Sequence, residues 1–176
     1  MKTFGFAGWS GSGKTTVIER IIPLLRERGL RVSLVKHAHH EFDIDQPGKD
    51  TWRHRQAGCS EVLISSTARW ALMHELRGEP ELSLEQALLQ LSPCDLVLIE
   101  GYKRAPIPKL EIYRPVVGKP LLYPDDPRIK GLATDAPDGL PGLPIPVLDL
   151  SNAGAIAQFV ISHCTKLVFD FPSVSL

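Results

Sequence analysis

Cysteine is scarce in this chain of 176 residues, occurring three times, at Cys59, Cys94 and Cys164. The number is odd, the spacings are long and there is no C-x-x-C pair, which excludes a disulfide scaffold and points to free thiols in a reducing, cytoplasmic compartment. No apolar run approaches the roughly 18 residues needed to cross a bilayer, so no membrane partner is expected. The first residues enter a strand at once and leave no room for a signal peptide. Neither sign of charge is in excess, since 20 basic residues face 20 acidic ones, and nucleic acid is therefore not expected as a bulk partner. There is no internal repeat. What remains is ordinary globular composition, 43% hydrophobic and 23% charged, too apolar for disorder. The length suits one domain with a real core. Residues 1–164 are expected to form it, with 165–176 as a C-terminal tail.

Against that plain background one segment stands out. Gly8-Trp9-Ser10-Gly11-Ser12-Gly13-Lys14-Thr15 spells G-x-x-x-x-G-K-[ST]. It lies between an apolar stretch, Lys2 to Ala7, that reads as a strand and a stretch, Thr16 to Arg28, that reads as a helix. Such a turn aims successive backbone N–H groups and the positive end of a helix at one point, which suits a polyphosphate. Gly8, Gly11 and Gly13 permit turn geometries that a Cβ would block. Lys14 is placed to reach the β- and γ-phosphates, and the Thr15 hydroxyl to ligate Mg²⁺. Ser10, Ser12 and Thr16 complete the expected nucleotide-binding stretch.

The rest of the chain supports an α/β fold. Val17, Ile21, Leu24 and Leu25 fall on one face of the first helix, Pro23 predicts a bend or break inside it, and Gly29 is a natural stop. Residues 31–35 form a second strand, and strand, helix and strand make a βαβ unit that implies a parallel sheet. Residues 37–50 form a long polar loop, and 51–57 a short helix ended by Gly58. Residues 61–65 and 69–76 read as two strands joined at Ser66 and Thr67. Residues 83–91 are helical, with Ser83 and Gln86 at a capping-box spacing. The continuous apolar run 95–99 predicts a strand buried on both faces. Ten of the fifteen prolines fall between Pro106 and Pro146, leaving short strands at 109–113, 129–134 and 147–150. A final amphipathic helix spans 152–164, with Ile156, Phe159 and Val160 facing inward. Together these predict a three-layer P-loop NTPase-type fold, with a mostly parallel central sheet and some antiparallel strands.

Further site residues follow from the sheet. Ligands of open α/β sheets sit at the carboxyl ends of strands, and the run 95–99 is followed by Glu100 and Gly101. Glu100 is the expected metal-side acid opposite Thr15, because Asp95 opens the strand too far from the phosphates. The 37–50 loop also begins at that edge. Asp43 and Asp45 are its candidates for approaching Mg²⁺ or a water near the γ-phosphate, and are grouped with Lys14 as catalytic. A zinc site from His37, His39 and His40 lacks a second ligand pair at a matching spacing. Arg53 and Arg55 are candidates for phosphate contact or for a plain helix surface. Asp135, after the strand 129–134, can accept from guanine N1–H and N2–H₂, a donor pair that adenine lacks.

These blocks together resemble the molybdopterin-guanine dinucleotide biosynthesis protein B (MobB) family over most of residues 2–162. The resemblance rests on GWSGSGKTT, VKHAHHEFDIDQPGKDTWRHRQAG, DLVLIEGYK, the K-L-E-I-Y-R segment and the A-T-D turn. The block with KHAHH, D-x-D and PGKD is far more specific than the phosphate loop. The resemblance implies a homodimeric, Mg²⁺-dependent GTP-binding protein with weak GTPase activity. Such a protein assists the guanylyltransferase that attaches GMP to molybdopterin. By position, Gly8, Ser10 to Thr16 and Glu100 match the phosphate and metal motifs, and Asp135 a base-side position. Two other classes fit the phosphate loop alone. One is a small metabolite kinase, which would need an arginine-bearing lid where the stiff 106–146 stretch offers Arg114 and Arg128. The other is a GTP-driven metal chaperone using the histidine-rich loop, for which a thiolate ligand set is missing.

Overall fold

A computed structural model describes residues 1–38, 42–140 and 142–167. The chain groups into two compact units, Met1–His37 with Leu84–Leu176, and Ala38–Ser83, where the sequence suggested a single domain over 1–164. Each unit is described by itself.

The larger unit is built on a seven-stranded sheet. Its strands are β1 (Lys2–Ala7), β2 (Val32–Lys36), β5 (Leu96–Glu100), β6 (Lys109–Tyr113), β7 (Ile129–Thr134), β8 (Val147–Asp149) and β9 (Thr165–Lys166). The order β2-β5-β1-β6-β7-β8 is parallel throughout. Strand β9 is antiparallel, pairing with the start of β1 at Lys2 and Thr3, while β6 takes the end of β1 from Gly5 to Ala7. The first residues of the supposed tail are thus part of the sheet; residues 168–176 lie outside the described residues.

Every residue of β5 is buried, as a run apolar on both faces requires. Its side chains alternate between two cores. Leu96 and Leu98 join Phe4, Phe6, Leu110 and Ile112 beneath α1 (Lys14–Glu27) and α4 (Ala153–His163). Val97 and Ile99 pack with Leu84 and Leu88 of α3 (Leu84–Leu89) on the other side. The result is helix, sheet, helix in three layers. The inward face expected of α4 is present, with Ile156, Phe159 and Val160 buried, and Asn152 caps it by accepting from the Ala155 N–H at 2.9 Å.

Two details correct the sequence reading. Helix α1 begins at Lys14, so the lysine and threonine of the glycine-rich loop form its first turn. It also runs through Pro23 without a break. Pro23 is exposed, and Ile21 and Leu25, both fully buried beside it, dock the helix on the sheet, a gain that outweighs the missing hydrogen bond.

The smaller unit holds α2 (Asp50–Gln56) and an antiparallel pair, β3 (Glu61–Ser65) and β4 (Trp70–His74). The turn expected at Ser66 and Thr67 closes with the Ser66 N–H on the Arg69 carbonyl at 2.8 Å. None of the described residues of this unit is fully buried.

Candidate nucleotide-binding site

In a parallel sheet every strand delivers its following loop to the same edge. Here that edge receives the glycine-rich loop after β1, Glu100 at the end of β5, Arg114 after β6, Asp135 after β7, and Asp149 with Ser151 at β8.

Gly8 opens the loop at φ 141°, and a Cβ there would stand 2.5 Å from the Ile112 carbonyl oxygen and 2.7 Å from Ser12 Oγ. Both conformation and space demand glycine. The chain then turns over Ser12, whose hydroxyl is buried and has no hydrogen-bond partner among the described residues. The Ser12 N–H donates to the Trp9 carbonyl at 3.2 Å, so Ser12 supports the loop from within. The amides of Gly11, Gly13, Lys14, Thr15 and Thr16 donate to no backbone carbonyl among the described residues. These are the orphan donors of a helix start, and together with the helix dipole they form an anion cradle.

Lys14 lies across the loop, its ammonium donating to the Gly8 and Trp9 carbonyls, each at 2.9 Å. Burial lowers its pKa, Glu100 opposes that shift, and the nearby Lys103 and Lys36 add to it. The cluster of like charges is what an incoming polyanion relieves. Trp9 is anchored by its indole N–H on the Pro120 carbonyl at 2.8 Å, with Lys103 and Lys119 5.2 and 5.8 Å from its ring centre.

The two residues expected at a metal, Thr15 and Glu100, are in contact. Thr15 Oγ1 donates to Glu100 Oε1 at 3.1 Å. The Glu100 side chain is 8% exposed, with Lys36 Nζ at 3.8 Å from its other oxygen. Gly101, at φ 106°, lets the chain pass where a Cβ would meet the His37 carbonyl oxygen at 2.7 Å. The His37 N–H donates to the Glu100 main-chain carbonyl at 2.8 Å, so the backbone at Glu100 is held by the residue that follows β2. Asp95 is a structural residue, accepting from the Arg31 N–H at 2.7 Å. The hydroxyl and carboxylate are hard oxygen donors that fit Mg²⁺, which takes one or two protein oxygens and completes its shell with phosphate and water. No cluster of three or more His, Cys, Asp or Glu suited to a metal occurs among the described residues; His39, His40 and Glu41 lie outside them.

Beside the cradle opens a cavity of about 510 Å³, lined by Gly13, Thr16, Val17, Arg20, Arg114, Asp135, Asp149, Leu150 and Ser151. Asp135, the residue expected at the base, is part of this wall and is paired there: Arg114 Nε donates to Asp135 Oδ2 at 2.7 Å. Tyr113 and Thr134 are register partners in β6 and β7, so the residues after them become neighbours. Sequence reasoning missed Arg114, Arg20, Asp149 and Ser151 as parts of this wall. Strand-end position was the available signal.

Asp43 and Asp45 were grouped with Lys14 as catalytic candidates. In the smaller unit their carboxylates are taken up by Arg55, at 2.8 and 3.2 Å, and Arg55 also meets Glu75 at 2.6 Å. Asp45 further accepts from Thr51 Oγ1 at 2.7 Å. The Arg55 hydrogen bonds hold the Asp43 carboxyl below its usual range. Arg55 is accordingly an organiser of its own loop, and Arg53 is exposed on α2.

A parallel sheet with a glycine-rich turn feeding the first helix, a lysine over that turn and a hydroxyl–carboxylate pair beside it defines a P-loop NTPase-type protein. Comparison with known proteins narrows the class. Residues 3–135 match the family model of molybdopterin guanine dinucleotide synthesis protein B (MobB). The chain is 38% identical over 164 residues to the molybdopterin-guanine dinucleotide biosynthesis adapter protein of Escherichia coli, covering 92% of each. It is 40% identical over 156 residues to the protein of the same name from Haemophilus influenzae, covering 89% of this chain and 85% of that one. A crystal structure of molybdopterin-guanine biosynthesis protein B superposes with a TM-score of 0.71 at 28% identity, over 91% of this chain and 98% of that one. The chain belongs to the MobB family, and its role lies in molybdopterin guanine dinucleotide biosynthesis. No helix among the described residues is long and apolar enough to cross a membrane.

Proposed function

We propose that the chain is a Mg²⁺-dependent GTP-binding protein with weak GTPase activity. It acts as an adapter, the word its curated relatives carry in their names, for the guanylyltransferase that joins GMP to molybdopterin. The observation that supports this best is the hydrogen bond between the Thr15 hydroxyl and the Glu100 carboxylate, beside a loop whose amides are open. Lys14 and the amides of Gly11, Gly13, Thr15 and Thr16 hold the phosphates, with Ser10 at the loop's exposed edge and Ser12 beneath it. Bound Mg²⁺, held by Thr15 and Glu100, supplies charge neutralisation at the phosphate oxygens. Asp135 accepts from the guanine edge.

Slow turnover follows from the same arrangement. Fast hydrolysis needs a positioned water and an added positive charge beyond the phosphate loop and its metal. The protein works as a homodimer. On one face of the β3–β4 pair Leu63, Trp70 and Leu72 are 62%, 66% and 44% exposed, an apolar surface suited to a second copy. Three free cysteines agree with a cytoplasmic setting.

The test is a titration of GTP with and without Mg²⁺ on the wild-type protein and on Glu100→Gln. Glu100→Gln is expected to weaken Mg²⁺-dependent binding and leave Mg²⁺-free binding nearly intact. Equal losses would remove Glu100 from the metal site. Rapid release of diphosphate on adding a metabolite acceptor would replace the adapter with a kinase.

A further inference from the structure

The cavity beside the phosphate cradle is lined by four charged side chains, Arg20, Arg114, Asp135 and Asp149. Two of them are committed to the chain itself. Arg20 donates through its two Nη atoms to the Leu150 and Ser151 carbonyls at 3.3 and 2.5 Å. Asp149 accepts from the Ser151 N–H at 2.7 Å, which lowers its pKa. They brace the turn after β8. The other two are committed to each other. Arg114 uses Nε on one oxygen of Asp135, and no further hydrogen bond of either side chain occurs among the described residues. Both are partly open, at 40% and 37% exposure.

An ion pair left this open contributes little to stability. Its worth is in what it displays: a carboxylate acceptor directly beside a fork of guanidinium donors. The edge of guanine carries the complement, O6 as acceptor next to N1–H and N2–H₂ as donors. Adenine carries the reverse, an N6–H₂ donor where guanine has O6 and a lone pair at N1 where guanine has a hydrogen. Resting on the GTP reading above, we infer that Arg114 is a specificity-determining residue, which donates to guanine O6 while Asp135 accepts from N1–H and N2–H₂. Against adenine the same pair sets donor against donor and carboxylate against lone pair. Discrimination thus comes from mismatch as well as from match.

The experiment is a binding panel of GTP, ITP and ATP, each with Mg²⁺, on wild type, Arg114→Gln, Arg114→Lys and Asp135→Asn. ITP keeps O6 and N1–H and lacks the 2-amino group. Wild type should favour GTP over ATP. Arg114→Gln should weaken GTP and ITP by the same factor, about ten- to a hundredfold, and tighten ATP by removing the donor set against N6–H₂, so the GTP-to-ATP ratio collapses. Arg114→Lys, which keeps the charge and loses the fork, should fall between. Asp135→Asn should hurt GTP more than ITP. Because each ratio is taken on one protein sample, a partly unfolded variant does not disturb it. If Arg114→Gln lowers all three nucleotides alike, or none, Arg114 is a prop and the inference fails while the GTP reading stands. If wild type itself does not separate GTP from ATP, the guanine reading fails and takes this inference with it.

Discussion

The two units of this chain solve the problem of order by opposite means. In the larger one, β5 is buried along its whole length, and Phe4, Leu98, Leu110 and Leu132 are fully hidden from solvent. In the smaller one no described residue is fully buried. Its loop and helix are tied by Arg55 to Asp43, Asp45 and Glu75, and its hairpin exposes apolar side chains. The difference fits the work proposed for each. A polyphosphate cradle needs a backbone that does not relax, including a Gly8 held against the Ile112 carbonyl, and burial on both faces of a sheet supplies that rigidity. A surface proposed to meet a second copy can be shaped by ion pairs and left apolar.

The contrast can be broken most severely from the core side. Leu98→Ala removes a fully buried side chain from beneath α1 and should cost about 2–5 kcal/mol in urea unfolding; a loss under about 1 kcal/mol would mean that the sheet is not the stabilising body. Lys14→Ala should weaken triphosphate binding by about 1.5–3 kcal/mol with the unfolding midpoint nearly unchanged, since its bonds run to its own loop. Arg55→Gln should act locally, speeding hydrogen exchange over residues 42–58 while β1 and β5 keep their protection. Protection lost in both regions would show that the two units unfold together. The pair Trp70→Ser with Leu72→Ser should shift the protein from dimer to monomer in sedimentation, and a dimer that persists would place the contact elsewhere.

The smallest effect is a pH dependence confined to the smaller unit. Glu61 bonds His74 Nδ1 at 2.8 Å, with Glu79 near the other nitrogen, and the His74 pKa is raised. The charged histidine therefore contributes stability in full below its unfolded pKa of about 6.5. That contribution disappears as pH rises through the higher folded value. Asp43 runs the other way. Its pKa is depressed by Arg55, so its contribution is present above about 3.9 and is lost as pH falls through the folded value. Hydrogen exchange of the β3–β4 amides should follow the first trend in wild type and lose it in His74→Gln.

Much of this was legible in the sequence, and the limits have physical causes. Strands β1, β3, β6 and β7 fall at the residues expected, because turn residues bound their apolar runs. The meeting of Thr15 with Glu100 was legible from the phosphate-loop motif together with topology, since parallel strands bring their carboxyl ends to one edge. The start of α1 was placed two residues late because Lys14 and Thr15 read as loop chemistry while also forming the first helical turn. Pro23 misled because burial of its neighbours decides the matter. The elements of the smaller unit were legible, but its grouping as a separate unit was not, because the ties within it include ion pairs between residues up to 20 apart in sequence, which leave no periodic signal. Arg114 was overlooked as a partner of Asp135 because they are 21 residues apart and meet only through the β6–β7 register.

The central claim, that the glycine-rich loop and Glu100 form a Mg²⁺–GTP site, is tested most directly by competing GTP against ATP on the wild-type protein, with and without Mg²⁺. The account predicts saturable binding that favours GTP and strengthens with Mg²⁺. Binding that is indifferent to both the base and the metal would contradict it.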